Sequence, residues 1–97
     1  MSTLSAVDVT ERLKSLPGWR LEGKEIVRTF EFPDFVAAMR FVNAVAEQAE
    51  SAGHHPDIDV RYNKVRLALS SHDEGGLTER DMKMAETLKP LGQGRAE

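Results

Sequence analysis

DIDVRYNKVRLALSS (residues 57–71) alternates apolar and polar side chains almost without interruption. Ile58, Val60 and Tyr62 fall opposite Asp57, Asp59 and Arg61, and the alternation resumes with Val65, Leu67 and Leu69 after Asn63-Lys64. A period of two marks strands that bury one face, and Asn-Lys between two such runs predicts a hairpin turn. Tyr62 continues the apolar face and is expected in the core.

Upstream, residues 33–52 hold no turn residue after Pro33, and Phe35, Met39, Val42, Ala46 and Ala49 recur at spacings of three and four. That spacing predicts a long core helix, with Gly53 placed for a left-handed C-cap. Phe41, Val45 and Ala37 fall outside this stripe and form a second apolar strip suited to a partner subunit. Before the helix, Trp19 and Leu21, the Glu22-Gly23-Lys24 turn, and Ile26, Phe30 and Phe32 predict another hairpin, with Arg28 a misfit on its apolar side. Ser5 and Asp8 stand at capping-box spacing ahead of Val9, Leu13 and Leu16, which predicts a short first helix ended by Pro17-Gly18. Thr78 and Asp81 repeat that spacing, Leu77 and Met82 make a staple, and Ala85 and Leu88 carry a last helix over about 79–89. The order α-β-β-α-β-β-α fits an α+β fold, one four-stranded antiparallel sheet with its helices packed on one face. Residues 1–97 make a single domain, and GQGRAE at the end reads as a frayed tail.

Composition excludes several classes. With 40% hydrophobic and 30% charged residues and no apolar run near 20 residues, a soluble domain is expected rather than a membrane protein. The first residues, MSTLSAVDVTERLK, lack a basic n-region and an apolar h-region, so the expected location is the cytoplasm. A net charge of −3 with scattered Lys and Arg argues against direct nucleic-acid binding. No cysteine is present, which removes disulfides, thiolate metal sites and cysteine nucleophiles.

All three histidines of the chain, His54, His55 and His72, flank the second hairpin. Its open end brings the pair and His72 together although they are far apart in sequence. A lone histidine is commonly a surface or capping residue; three converging on one sheet end favour a site. Zinc is one alternative, with Glu50, Asp57 or Asp73 completing a three-histidine shell. Adjacent residues on an extended backbone point to opposite sides, however, so such a shell needs a kink near Pro56.

Glu50, His54-His55-Pro56, Tyr62, His72 and Asp81, flanked by YNKV, LSSH and GLTERD, resemble the signature of the pterin-4a-carbinolamine dehydratases. GW, LEG and the Ile26-to-Phe35 pattern resemble the family more loosely. The resemblance implies an α+β fold and a metal-free, cofactor-free dehydration of 4a-hydroxytetrahydropterin to quinonoid dihydropterin, which recycles the cofactor of aromatic amino acid hydroxylases. It implies His54, His55 and His72 as catalytic residues, with Glu50, Arg80 and Asp81 binding substrate. Asp81 also stands at N3 of the last helix, where structural capping is the better account of it. Imidazole fits such a reaction, because an unperturbed pKa near 6.5 lets it donate or accept a proton at neutral pH. Two positions depart from family members that carry an acidic residue before the histidine pair and an aromatic one after the proline: here they are Gly53 and Ile58. Trp19 is the residue available to replace that aromatic wall, although a lone Trp beginning a strand more commonly serves packing. The resemblance also implies a second class of function, since some relatives are dimerisation cofactors of a homeodomain transcription factor, a role that uses helix surface and no imidazole. A short chain with two open sheet edges is expected to form a homodimer or homotetramer.

Overall fold

Each helix begins where a side chain satisfies its first amides. In the computed structural model, which describes residues 3–92, α1 (Ala6–Leu13) is capped by Ser5, α2 (Phe35–Ala52) by Asp34 and α3 (Glu79–Leu88) by Thr78. The Asp34 carboxylate accepts from Ala37 N–H at 2.8 Å, and the predicted Thr78–Asp81 capping box is formed. At the far end of α2, Gly53 turns left-handed (φ 66°), its N–H bonds to Glu50 O, and His54 N–H reaches back to Ala49 O. That is a Schellman motif, and it fixes the exit of the chain toward the histidines.

The strands β1 (Arg20–Glu22), β2 (Glu25–Glu31), β3 (Asp57–Arg61) and β4 (Lys64–Leu69) make one antiparallel sheet ordered β1-β2-β4-β3. Pairing Ile26↔Leu69, Arg28↔Leu67 and Phe30↔Val65 puts the apolar residues of the two central strands on one face. Val9 of α1, Phe41 and Val45 of α2, and Met82, Ala85 and Leu88 of α3 pack there into a single core. The other face is charged: Glu22 bonds Arg20 at 2.7 Å and Arg66 at 3.0 Å, over a buried Val27 and Ala68. The expected α+β architecture is therefore the observed one. Of the expected tail, Gly92 closes a short 3₁₀ turn (Lys89–Gly92), and residues 93–97 lie outside the described residues. None of the described helices is long and apolar enough to cross a membrane.

Two expectations are corrected. Because Arg61 pairs with Lys64, the hairpin turns on Tyr62-Asn63, and Tyr62 is 66% exposed with φ 54° rather than in the core. Both registers keep apolar residues facing apolar ones, so the alternation does not choose between them. Asn63 does: its side-chain N–H₂ donates to Phe32 O at 2.8 Å, and its carbonyl accepts from Phe32 N–H at 2.9 Å. On α2, the buried stripe is Ala38, Phe41, Val45 and Ala49, whereas Phe35 is 48% exposed and Ala46 also faces solvent. The helix carries two apolar stripes, and periodicity alone cannot rank them. Aromatic packing decides, since the Phe41 ring lies 4.6 Å from that of Phe30 and 5.1 Å from that of Phe32.

Arg28, the misfit of the first hairpin, stays on the core side with its guanidinium 4.4 Å above the Phe30 ring. It fits because Gly18 (φ 90°) leaves room, and a Cβ there would come within 2.6 Å of Arg28 Nε. Gly18→Ala is expected to cost about 2–3 kcal/mol, combining left-handed strain with displacement of the cation from the ring. Gly23, also left-handed (φ 62°) but with no atom near its missing Cβ, serves as the control. Its alanine variant carries only the backbone term, about 1–2 kcal/mol. Urea midpoints of the two variants check the difference.

Candidate active site

The Schellman turn after α2 releases His54 and His55 just before Pro56 and β3, while His72 begins a 3₁₀ turn (His72–Glu74) just after β4. This second turn is closed by Ser71 N–H to Gly76 O at 3.0 Å and Gly76 N–H to Ser71 O at 3.3 Å. The open end of the hairpin thus holds all three imidazoles on one cleft of about 290 Å³, lined also by Ser70, Asp73 and Arg80.

Each member of the histidine pair has its own carboxylate. His54 is buried, and its Nε2 lies 2.6 Å from Oδ1 of Asp81, a residue with no exposed surface. Asp81 Oδ2 accepts from Ser71 Oγ–H at 2.8 Å and from Thr78 N–H at 2.9 Å. Ser71 Oγ and Thr78 Oγ1 are themselves 2.8 Å apart. With Ser71 donating to Asp81, the Thr78 hydroxyl donates to Ser71, and both partners of Oδ2 are donors. Such surroundings suit an ionised Asp81, so the proton shared with His54 belongs to Nε2 of the ring, and Nδ1 of the neutral imidazole is left as an acceptor. The tautomer is assigned from this bonding network.

His55 Nε2 lies 2.6 Å from Glu50 Oε2 one turn back on α2, and this pair is open to solvent. His72 is exposed and makes no side-chain hydrogen bond or ion pair among the described residues. Arg80 Nη2 donates to Asp73 Oδ1 at 2.7 Å, while its Nε is buried without a hydrogen-bond partner. The hydrogen bond from Arg80, reinforced by its charge, holds the Asp73 carboxyl below the usual aspartate range.

The six expected site residues therefore form one assembly. His54, His55, His72 and Arg80 line the cleft, whereas Glu50 and Asp81 stand behind an imidazole each. Trp19 is elsewhere: it is buried edge-on against Phe30, with ring centroids 6.4 Å apart, and offers no wall to the cleft. Ile58, the residue noted above as departing from an aromatic position, is partly exposed on the edge strand. Sequence reasoning did not single out Ser71, Thr78 as a hydroxyl partner, or Asp73 as the partner of Arg80. A serine immediately before His72, at the end of an alternating strand, was the available signal for the first. Among the described residues, no three His, Asp or Glu side chains are grouped so as to hold a metal ion.

Fold and cleft together define a small α+β domain that carries imidazole–carboxylate pairs at the ends of its strands. The sequence profile of the pterin 4 alpha carbinolamine dehydratases matches residues 2–91, and the chain belongs to that family. A relative from Acidobacterium capsulatum, provisionally named a pterin-4-alpha-carbinolamine dehydratase, is 62% identical over 94% of this chain and 99% of its own. Another of the same provisional name, from Chloroflexus aurantiacus, is 56% identical over 94% and 98%. Among solved structures, a transcriptional coactivator/pterin dehydratase from Brucella melitensis superposes with a TM-score of 0.88 at 36% identity, covering 94% of this chain and 99% of that one. A pterin dehydratase-like protein described as a RuBisCO assembly factor of the alpha-carboxysome matches with a TM-score of 0.67 at 25% identity, over 78% and 90%.

Proposed function

We propose that the protein dehydrates 4a-hydroxytetrahydropterins to quinonoid dihydropterins in the cytoplasm, as a step in recycling the cofactor of aromatic amino acid hydroxylases. The observation that carries this reading is the buried His54–Asp81 pair in the wall of a cleft shared with His55 and His72. Dehydration takes the proton from N5, moves its electron pair into a C4a=N5 double bond, and expels the 4a-hydroxyl as water once that oxygen is protonated. One group must accept and another donate. Nδ1 of His54 is the acceptor, because Asp81 holds the opposite ring nitrogen as a donor and stabilises the imidazolium that forms. His72 and His55 face the same cleft, and one of them in its protonated form supplies the proton to the departing hydroxyl. Each transfer contributes about 10²- to 10⁴-fold.

The test is the decay of the carbinolamine absorbance with and without the protein; equal rates would overturn the reading. The same assay separates it from a binding-only module working through helix surface, which leaves the decay unchanged. Turnover is expected to survive exhaustive dialysis against a chelator, since the proposed proton transfers run between imidazole and substrate and no step calls for a metal ion. Loss of rate with recovery on adding zinc would point to metal chemistry.

The reading extends to assembly as a homodimer or homotetramer. Strands β1 and β3 are open edges, and Phe35, Val36, Ile58 and Tyr62 are exposed apolar or aromatic groups in search of cover.

A further inference from the structure

A second cleft, also about 290 Å³, adjoins the first and is lined by Ala52, His54, Arg80, Lys83, Met84 and Thr87. His54 and Arg80 belong to both. Arg80, Lys83, Met84 and Thr87 follow one another along a single face of α3, so helix geometry builds this wall. Its charge runs against the rest of the chain. The protein has a net charge of −3, yet among the described residues no carboxylate lines this cleft and two cations do. Lys83 has no ion-pair partner among the described residues, and Arg80 keeps a buried Nε without one even after bonding Asp73.

We infer that this second cleft receives a negatively charged substituent on C6 of the pterin, and that Lys83 with Arg80 makes the protein selective for pterins so substituted. The inference rests on the proposed dehydratase reading. In the pterin ring, C6 is bonded to N5, which is bonded to C4a, so the substituent leaves the ring beside the bond being formed. His54 is the proton acceptor at N5 and also the partition between the clefts, so a side chain leaving C6 passes it into the second one. Ala52 and Met84 offer apolar surface to the stem, and the cations meet a phosphate or carboxylate at its end.

The experiment compares kcat/KM at low salt for three 4a-hydroxytetrahydropterins: one with a neutral dihydroxyalkyl group at C6, one ending in a phosphate and one in a carboxylate. The anionic substrates are expected to be preferred by about three- to tenfold, as befits partly exposed charges, and the preference should fade as salt is raised. Lys83→Glu is expected to reverse the ratio and Lys83→Arg to keep it. A preference for phosphate alone identifies a phosphomonoester as the substrate class, and an equal one for both anions leaves it as any C6 anion. A fluorescence titration with stable oxidised pterins bearing the same groups reads the selectivity without turnover. Rapid but unselective turnover, or a ratio untouched by Lys83→Glu, overturns this inference alone. No turnover of any of the three overturns the dehydratase reading, and this inference with it.

Discussion

Replacing Asp81 by asparagine is expected to lower turnover by about 10²- to 10⁴-fold while leaving a folded protein. The carboxylate now accepts from three donors: His54 Nε2–H, Ser71 Oγ–H and Thr78 N–H. An amide has one oxygen for all of them. If that oxygen stays with Ser71 and Thr78, the NH₂ group must face His54, and two donors meet unless the imidazole moves its proton to Nδ1. The ring nitrogen meant to accept from N5 then becomes a donor. The helix cap survives in part, so the stability loss is expected near 1 kcal/mol, the ordinary scale of a weakened cap. Pre-steady-state rates and melting curves on one sample separate the two effects. Wild-type turnover with a lowered melting temperature would reduce Asp81 to a cap and detach His54 from the chemistry.

Phe41→Glu should abolish cooperative folding. Phe41 is 4% exposed and packs at a tilt against the rings of Phe30 and Phe32, so losing its ring alone costs about 3–5 kcal/mol, before the penalty for a carboxylate in an apolar site. A domain of this size has about 5–15 kcal/mol to lose. Phe35→Glu, on the same helix, replaces a side chain 48% exposed and should keep a sharp thermal transition. Sedimentation equilibrium of the Phe35 variant against the wild type then reports on assembly: a fall in mass places the exposed stripe of α2 in a subunit interface. A wild-type monomer mass near 10.8 kDa at micromolar concentration removes the homo-oligomer from the proposal. A cooperatively folded Phe41→Glu chain would mean that the core stripe of α2 is misassigned.

The period-two run of residues 57–71 and the capping residues Ser5 and Thr78 were legible in the sequence because each acts through its neighbours in the chain. The convergence of His54, His55 and His72 needed one further step, the closing of a hairpin. What escaped depends on contacts between distant elements. Which stripe of α2 is buried is settled by the rings of Phe30 and Phe32 across the core, and the hairpin register by Asn63 reaching back to β2. The pairing of His54 with Asp81 spans 27 residues and joins the end of one helix to the start of another. Capping-box spacing disclosed Asp81's local role and concealed its distant one, since the two oxygens of one carboxylate do different things.

That division of labour ties the endurance of the site to the integrity of α3. Its first turn cannot fray without withdrawing the carboxylate from His54, and His54 cannot swing out without leaving Oδ1 of the buried Asp81 without its partner. Heat should therefore extinguish the site and melt the helix as a single event. Activity would persist undiminished by local loosening up to the unfolding temperature, then vanish with the fold.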